Sequence, residues 1–155
     1  MNPTSTLGGA ILAAAIAMPA VADGHRAQPP LDPAYAEECG SCHVAFHPRT
    51  LGARSWAAIL GDLAAHFGVD ASLEPEAAQS ILRYLTANAR RKETLGADGE
   101  PVLRITKTSW FVREHDAADA ALWSSPAVKS AANCAACHPG AAQGSFAEHD
   151  IRIPR

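Results

Sequence analysis

All four cysteines of this chain fall in two five-residue runs, Cys39-Gly40-Ser41-Cys42-His43 and Cys134-Ala135-Ala136-Cys137-His138. Each run reads Cys-x-x-Cys-His. Two thiols three positions apart on one helical turn can both form thioethers to the vinyl groups of a single porphyrin. The histidine that follows is then held under the iron, where it supplies an axial nitrogen. The same pairs of cysteines also suit half of a zinc site, a redox dithiol or, in an exported protein, a disulfide. Zinc gives no reason for a histidine after both pairs, and structural zinc sites usually keep their pairs closer. Two complete signatures point to two covalently attached haem c groups, held through Cys39, Cys42, Cys134 and Cys137, with His43 and His138 on the irons.

The sixth position of each iron is then the open question. The two methionines, Met1 and Met18, both lie in the first segment of the chain and are poor candidates. Five further histidines remain: His25, His47, His66, His115 and His149. His66 follows Leu63 by three positions, on the apolar side of a predicted helix, and is the first choice for the first haem. His47 is its rival, but it sits four residues after His43 and beside Pro48, too near to reach easily over the opposite haem face. His115 follows Trp110, Phe111 and Val112, which offer an aromatic wall, and is the first choice for the second haem. Its rival, His149, stands between Glu148 and Asp150 and reads as solvated. Two histidines per iron leave no free coordination position and give a lower potential than methionine–histidine ligation. Such a protein moves electrons rather than converting molecules.

The elements that must position these residues read as mainly α. Residues Met1 to Ala22 carry no charged side chain, Leu7 to Met18 is small and apolar, and Ala20-Val21-Ala22 fits a small-x-small cleavage site. This reads as a cleaved secretory signal over 1–22, with an uncleaved anchor as the alternative; its apolar stretch is too short and too rich in Gly and Ala for a membrane span of roughly twenty apolar residues. It places the protein in a periplasm. A polar lead follows to Pro30. Asp32-Pro33 opens a helix predicted to run to about Cys42. Ser55 is expected to cap a second helix, with Trp56, Ile59, Leu60, Leu63 and Phe67 in one stripe and Gly68 as its stop. A third is predicted over 75–92, with Ala78, Ile81, Leu82, Leu85 and Ala89 inward and Arg90, Arg91 and Lys92 at its C-terminal end. Gly96 to Pro101 reads as a linker. Beyond it come a short extended piece at 102–105, short helices at 109–115 and 119–123, and a helix over 127–137 carrying the second haem motif. The alternating tail from Ile151 is expected to pack as an extended strand. The domain organisation is therefore a signal peptide at 1–22, an N-terminal haem domain at 23–95, a linker at 96–102 and a C-terminal haem domain at 103–155. With so few residues per haem, each porphyrin must form much of its own domain's core.

Three runs together resemble the small periplasmic dihaem cytochromes c of bacteria. They are Glu38 to His43, Ser55-Trp56 through His66-Phe67-Gly68 to Ala71-Ser72-Leu73, and Ala132-Asn133 through Cys134 to Pro139, with the Ile151–Pro154 ending. The resemblance covers nearly all of the chain after the signal. It implies a class-I-cytochrome-c-like N-terminal haem domain and a small, irregular C-terminal one. It also implies bis-histidine ligation of adjacent haems, by His43 with His66 and His138 with His115. The implied electron acceptor is an oxygen-binding monohaem cytochrome c, with a membrane-bound cytochrome b often upstream.

Two other functional classes compete with electron transport. A haem enzyme, such as a dihaem peroxidase or a small nitrite- or hydroxylamine-active protein, needs an open or openable iron, and dihaem peroxidases are much longer chains. Gas-binding cytochromes also carry Cys-x-x-Cys-His near the C-terminus, but usually as one-haem four-helix bundles, which the second unit is too short to build. Thirteen Lys and Arg against sixteen Asp and Glu give a net charge of −3, which argues against nucleic-acid binding. Arg90, Arg91 and Lys92, with Lys107, Arg113 and Lys129, read either as a docking patch for an acidic partner or as solvated charge.

Overall fold

The computed structural model describes residues 29–154. The segment 1–22 expected as a signal and His25 lie outside the described residues. Five α-helices, linked by 3-10 turns, build the fold, and the β-bridges among the described residues are isolated pairs.

The first helix, α1 (Pro33–Gly40), starts as its sequence predicts: the Asp32 carboxylate accepts the Tyr35 N–H at 3.1 Å, and Pro33 needs no donor. Tyr35 is buried, and its phenol donates to the Phe46 carbonyl at 2.7 Å. That bond ties the loop after the first haem motif back onto α1. The helix ends two residues earlier than expected, so Cys42 and His43 leave it on a turn.

Ser55 does not cap the next helix. α2 (Ala53–Gly61) begins at Gly52, and Ser55 is wholly buried inside its first turn. Gly52 has no side chain to cap with, and the cap comes from far along the chain: Glu93 Oε1 accepts the Arg54 N–H at 3.1 Å. A Cβ at Gly52 would overlap the Glu93 carboxylate, so a side chain there would force that carboxylate to move. α2 also stops sooner than its apolar stripe suggests. Asp62 leaves the helical region at φ −140°, and a 3-10 turn over Leu63–Ala65 follows. His66 therefore ends a 3-10 turn rather than lining an α-helix. Phe67 has φ +50° and is 44 % exposed, so it is not part of the core stripe.

α3 (Pro75–Asn88) turns Ile81 and Leu85 inward against Trp56 and Ile59 of α2, with Tyr35 and Leu51 completing the core. Each such buried side chain contributes about 1.5–3 kcal/mol. The Trp56 indole donates to the Pro48 carbonyl at 2.8 Å, which holds the 3-10 turn Pro48–Thr50 on this core. Arg90, Arg91 and Lys92 lie past the helix end. Residues 94–102 close on themselves, with Val102 N–H donating to Thr94 O at 2.9 Å and Gly99 at φ +80° in the turn.

In the second half, Thr108 caps α4 (Ser109–Glu114) and Asp119 caps α5 (Ala120–Ser124) through their side-chain oxygens. The helix expected over 127–137 does not form. Ser125, Ser130 and Asn133 bond to nearby backbone groups instead, Lys129 sits at φ +68°, and only one 3-10 turn, Cys134–Ala136, carries the motif. The expected terminal strand is extended backbone without a ladder, anchored by the Arg152 N–H on the Cys137 carbonyl at 2.9 Å. Phe111, Val128, Ala141 and Ala147 are the buried apolar residues here. That is too little to hold this half by itself. No helix among the described residues is long and apolar enough to cross a membrane.

Candidate haem-binding sites

At the first site, α1 presents Cys39 at its last turn, and the following turn brings round Cys42 and His43. Burial, with Glu38 adding to it, pushes the Cys39 thiol up to about 11. His43 Nδ1 lies 2.8 Å from the Val44 carbonyl. A carbonyl only accepts, so Nδ1 carries the proton and the Nε2 lone pair is free for a metal. The 3-10 turn after α2 carries His66 to the opposite side. Its ring centroid is 6.2 Å from that of His43, and the planes are 17° apart. Burial, then the neighbouring His43 and Arg104, lower the His66 pKa and keep the ring neutral.

The second site has the same plan from different elements. Cys134 and Cys137 bracket the 3-10 turn, and the His138 N–H returns to the Cys134 carbonyl at 2.9 Å. His115, at the C-terminal end of α4, bonds through Nδ1 to the Phe111 carbonyl at 2.9 Å, which again leaves Nε2 free. The Phe111 ring stacks on His115 at 4.1 Å, and Trp123 of α5 stands 5.8 Å from it. The His115 and His138 centroids are also 6.2 Å apart, but the rings cross at 77°. Burial first, then His115, lowers the His138 pKa.

The two equal spacings match a metal between each pair. With metal–nitrogen bonds of about 2 Å and about 1 Å from nitrogen to ring centre, two imidazoles on opposite sides of one metal have centroids about 6 Å apart. The four thiols are free, two in each Cys-x-x-Cys-His run that carries His43 or His138. No group of three or more His, Cys, Asp or Glu side chains converges on a common point among the described residues, so the cysteine pairs do not meet as a zinc site would need. The residues present thus fit two haem c groups.

The rival histidines are elsewhere. His47 accepts the Arg49 N–H at 3.2 Å and caps the Pro48–Thr50 turn. His149 is exposed and pairs with Asp150 at 3.6 Å. Sequence reasoning missed Trp123 and Phe146, whose rings flank His115 and His138. It placed Trp110 in the wall beside His115, whereas the Trp110 indole reaches the Thr50 carbonyl at 3.4 Å and joins the two halves.

The family model described as dihaem cytochrome c matches residues 35–146. Among solved structures, a dihaem cytochrome c from Shewanella baltica is 35 % identical, with a TM-score of 0.68 over 79 % of this chain and 92 % of that one. Two structures of a dihaem cytochrome c from Rhodobacter sphaeroides are 42 % and 39 % identical, with TM-scores of 0.61 and 0.66. Each covers 74 % of this chain and 96 % of the other. No curated protein matches.

Proposed function

Because this chain belongs to the dihaem cytochrome c family, carries two haem groups and serves in electron transport, we propose that it is a relay whose two irons are both closed by histidine. His43 with His66 and His138 with His115 are the axial ligands, and Cys39, Cys42, Cys134 and Cys137 form the thioethers. The observation that carries this reading is the common 6.2 Å spacing of the two histidine pairs, each beside a Cys-x-x-Cys-His run. When bound, haem c supplies one-electron oxidation and reduction.

The chain's own residues account for the rest. The Nδ1–carbonyl bonds of His43 and His115 fix ring orientation and raise ligand basicity, which favours the oxidised iron and a low potential. Phe111 and Trp123 pack against His115, and Phe146 meets His138 edge-on while remaining partly exposed. With all four axial positions taken by the protein, neither site offers a place for substrate, and the protein is a carrier rather than an enzyme. The signal at 1–22 directs it to the periplasm, with haem units at 23–95 and 103–155. Its acceptor is an oxygen-binding monohaem cytochrome c, and a membrane cytochrome b is the donor.

Stopped-flow mixing tests this. The reduced holoprotein, mixed with an oxidised oxygen-binding monohaem cytochrome c, is expected to give up two electrons per molecule. Retention of its electrons, with turnover of peroxide, nitrite or hydroxylamine instead, would overturn the reading.

A further inference from the structure

Arg104 follows the 94–102 turn, yet it reaches the distal side of the first histidine pair. Its guanidinium carbon sits 4.3 Å above the centre of the Phe67 ring. Phe67 in turn meets the His66 ring edge-on, with centroids 4.8 Å apart at 62°. Phe67 is an unusual residue for such a place. It is a large apolar side chain, partly exposed, held in the left-handed backbone region that a residue with a Cβ disfavours. Strain of this kind persists where surrounding contacts hold it and marks functional positions. Two contacts on its ring are the Arg104 guanidinium and the His66 imidazole. Among the described residues, the salt-bridge contacts are Arg113–Glu114 and His149–Asp150, and no carboxylate of a described residue pairs with Arg104.

We infer that Arg104 and Phe67 form a clasp on His66 that fixes its ring plane and raises the reduction potential of the first haem relative to the second. This rests on the histidine ligation proposed above. Adding an electron lowers the positive charge of the iron site, so a nearby uncompensated cation favours the reduced form. Arg104 is exposed, and solvent and salt weaken its field, which makes the shift salt-sensitive. The Phe67 edge acts differently: contacts around a metal ligand orient it and tune the metal. The second histidine pair is backed by Phe111 and Trp123 and has no cation–aromatic contact of this kind among the described residues.

A redox titration of the holoprotein followed by EPR tests the clasp haem by haem. Near-parallel imidazoles raise the same iron orbital and crossed ones raise different orbitals, so the two haems give separable low-spin signals. Arg104→Gln is expected to shift the midpoint of the near-parallel haem downward and leave the crossed one in place. Arg104→Lys, which keeps the charge, restores it. Phe67→Leu is expected to change the g-values of the near-parallel haem alone. Circular dichroism of each variant checks that it is folded. If Arg104→Gln leaves both midpoints unmoved, or moves them equally, the clasp has no such role. A high-spin first haem in the wild-type protein would instead overturn the ligation on which the inference rests.

Discussion

The ring of His66 faces that of His43 at 6.2 Å and within 17° of parallel. His115 and His138 keep the same spacing but cross at 77°. An imidazole raises the iron orbital that its own π system overlaps. Two parallel rings act on one orbital and split the pair; crossed rings act on both and leave them nearly degenerate. The oxidised protein is therefore expected to show one rhombic low-spin EPR signal and one more axial signal with a larger maximum g-value. His66→Met should remove the first only, and His115→Met the second only. Two identical signals would contradict the ring geometry.

Gly52 and Glu93 form a coupled pair. The Glu93 carboxylate caps α2 from outside the helix and occupies the space where a Gly52 side chain would be. Glu93→Ala should cost about 1 kcal/mol, as loss of an N-cap does. Gly52→Ala should cost about 1–3 kcal/mol, because the carboxylate must move. The double variant should be less destabilised than the two costs together, since each change removes what the other disturbs. Thermal melting of the four holoproteins measures this, and strict additivity would count against the cap.

Tyr35 gives the fold an alkaline limit. Burial, helped by Cys39 and Tyr84, pushes its phenol far above the ordinary value, and the bond donated to the Phe46 carbonyl needs the same neutral form. The neutral phenol is the form the native state holds. Its contribution is fully present below the unfolded value of about 10 and is lost as pH rises beyond it. Denaturant unfolding is expected to be flat in this respect up to about pH 10 and to weaken above it. Tyr35→Phe should cost about 0.5–1.5 kcal/mol at neutral pH and flatten that alkaline decline. An unchanged decline in the variant would assign it to other groups.

Much of this was legible in the residues themselves, and the failures have local causes. Asp32-Pro33 and Asp119 act as caps because their side chains bond within their own turn. Ser55 failed as a cap because Glu93, thirty-eight positions away in the chain, does that work for Arg54 one residue earlier. The stripe from Trp56 to Phe67 kept helical spacing while Asp62 broke the helix between them. The second motif was expected on a helix because its alanines favour one, but Ser125, Ser130 and Asn133 bind the backbone first. The four histidines singled out do meet in two pairs, although His66 arrives on a 3-10 turn and not on the predicted helical face. Arg104 gave no signal at all, since its partner Phe67 reads as core by spacing.

The second half should depend on its cofactor. Its few buried apolar residues leave Val112, Phe146 and Ile153 exposed. Replacing Cys134 and Cys137 with serine is expected to yield a protein with one covalent haem. In it, residues after the 94–102 turn lose amide protection from hydrogen exchange while α1, α2 and α3 keep theirs. Full protection of both halves would show that the polypeptide alone holds the second site.

Carbon monoxide tests the closed irons most directly. It binds reduced haem wherever an axial position is open or readily opened. The proposed ligation by His43 with His66 and His115 with His138 predicts that the absorption spectrum of the fully reduced protein stays unchanged on adding carbon monoxide. A rapid, stoichiometric shift of the haem bands at either site would contradict the account.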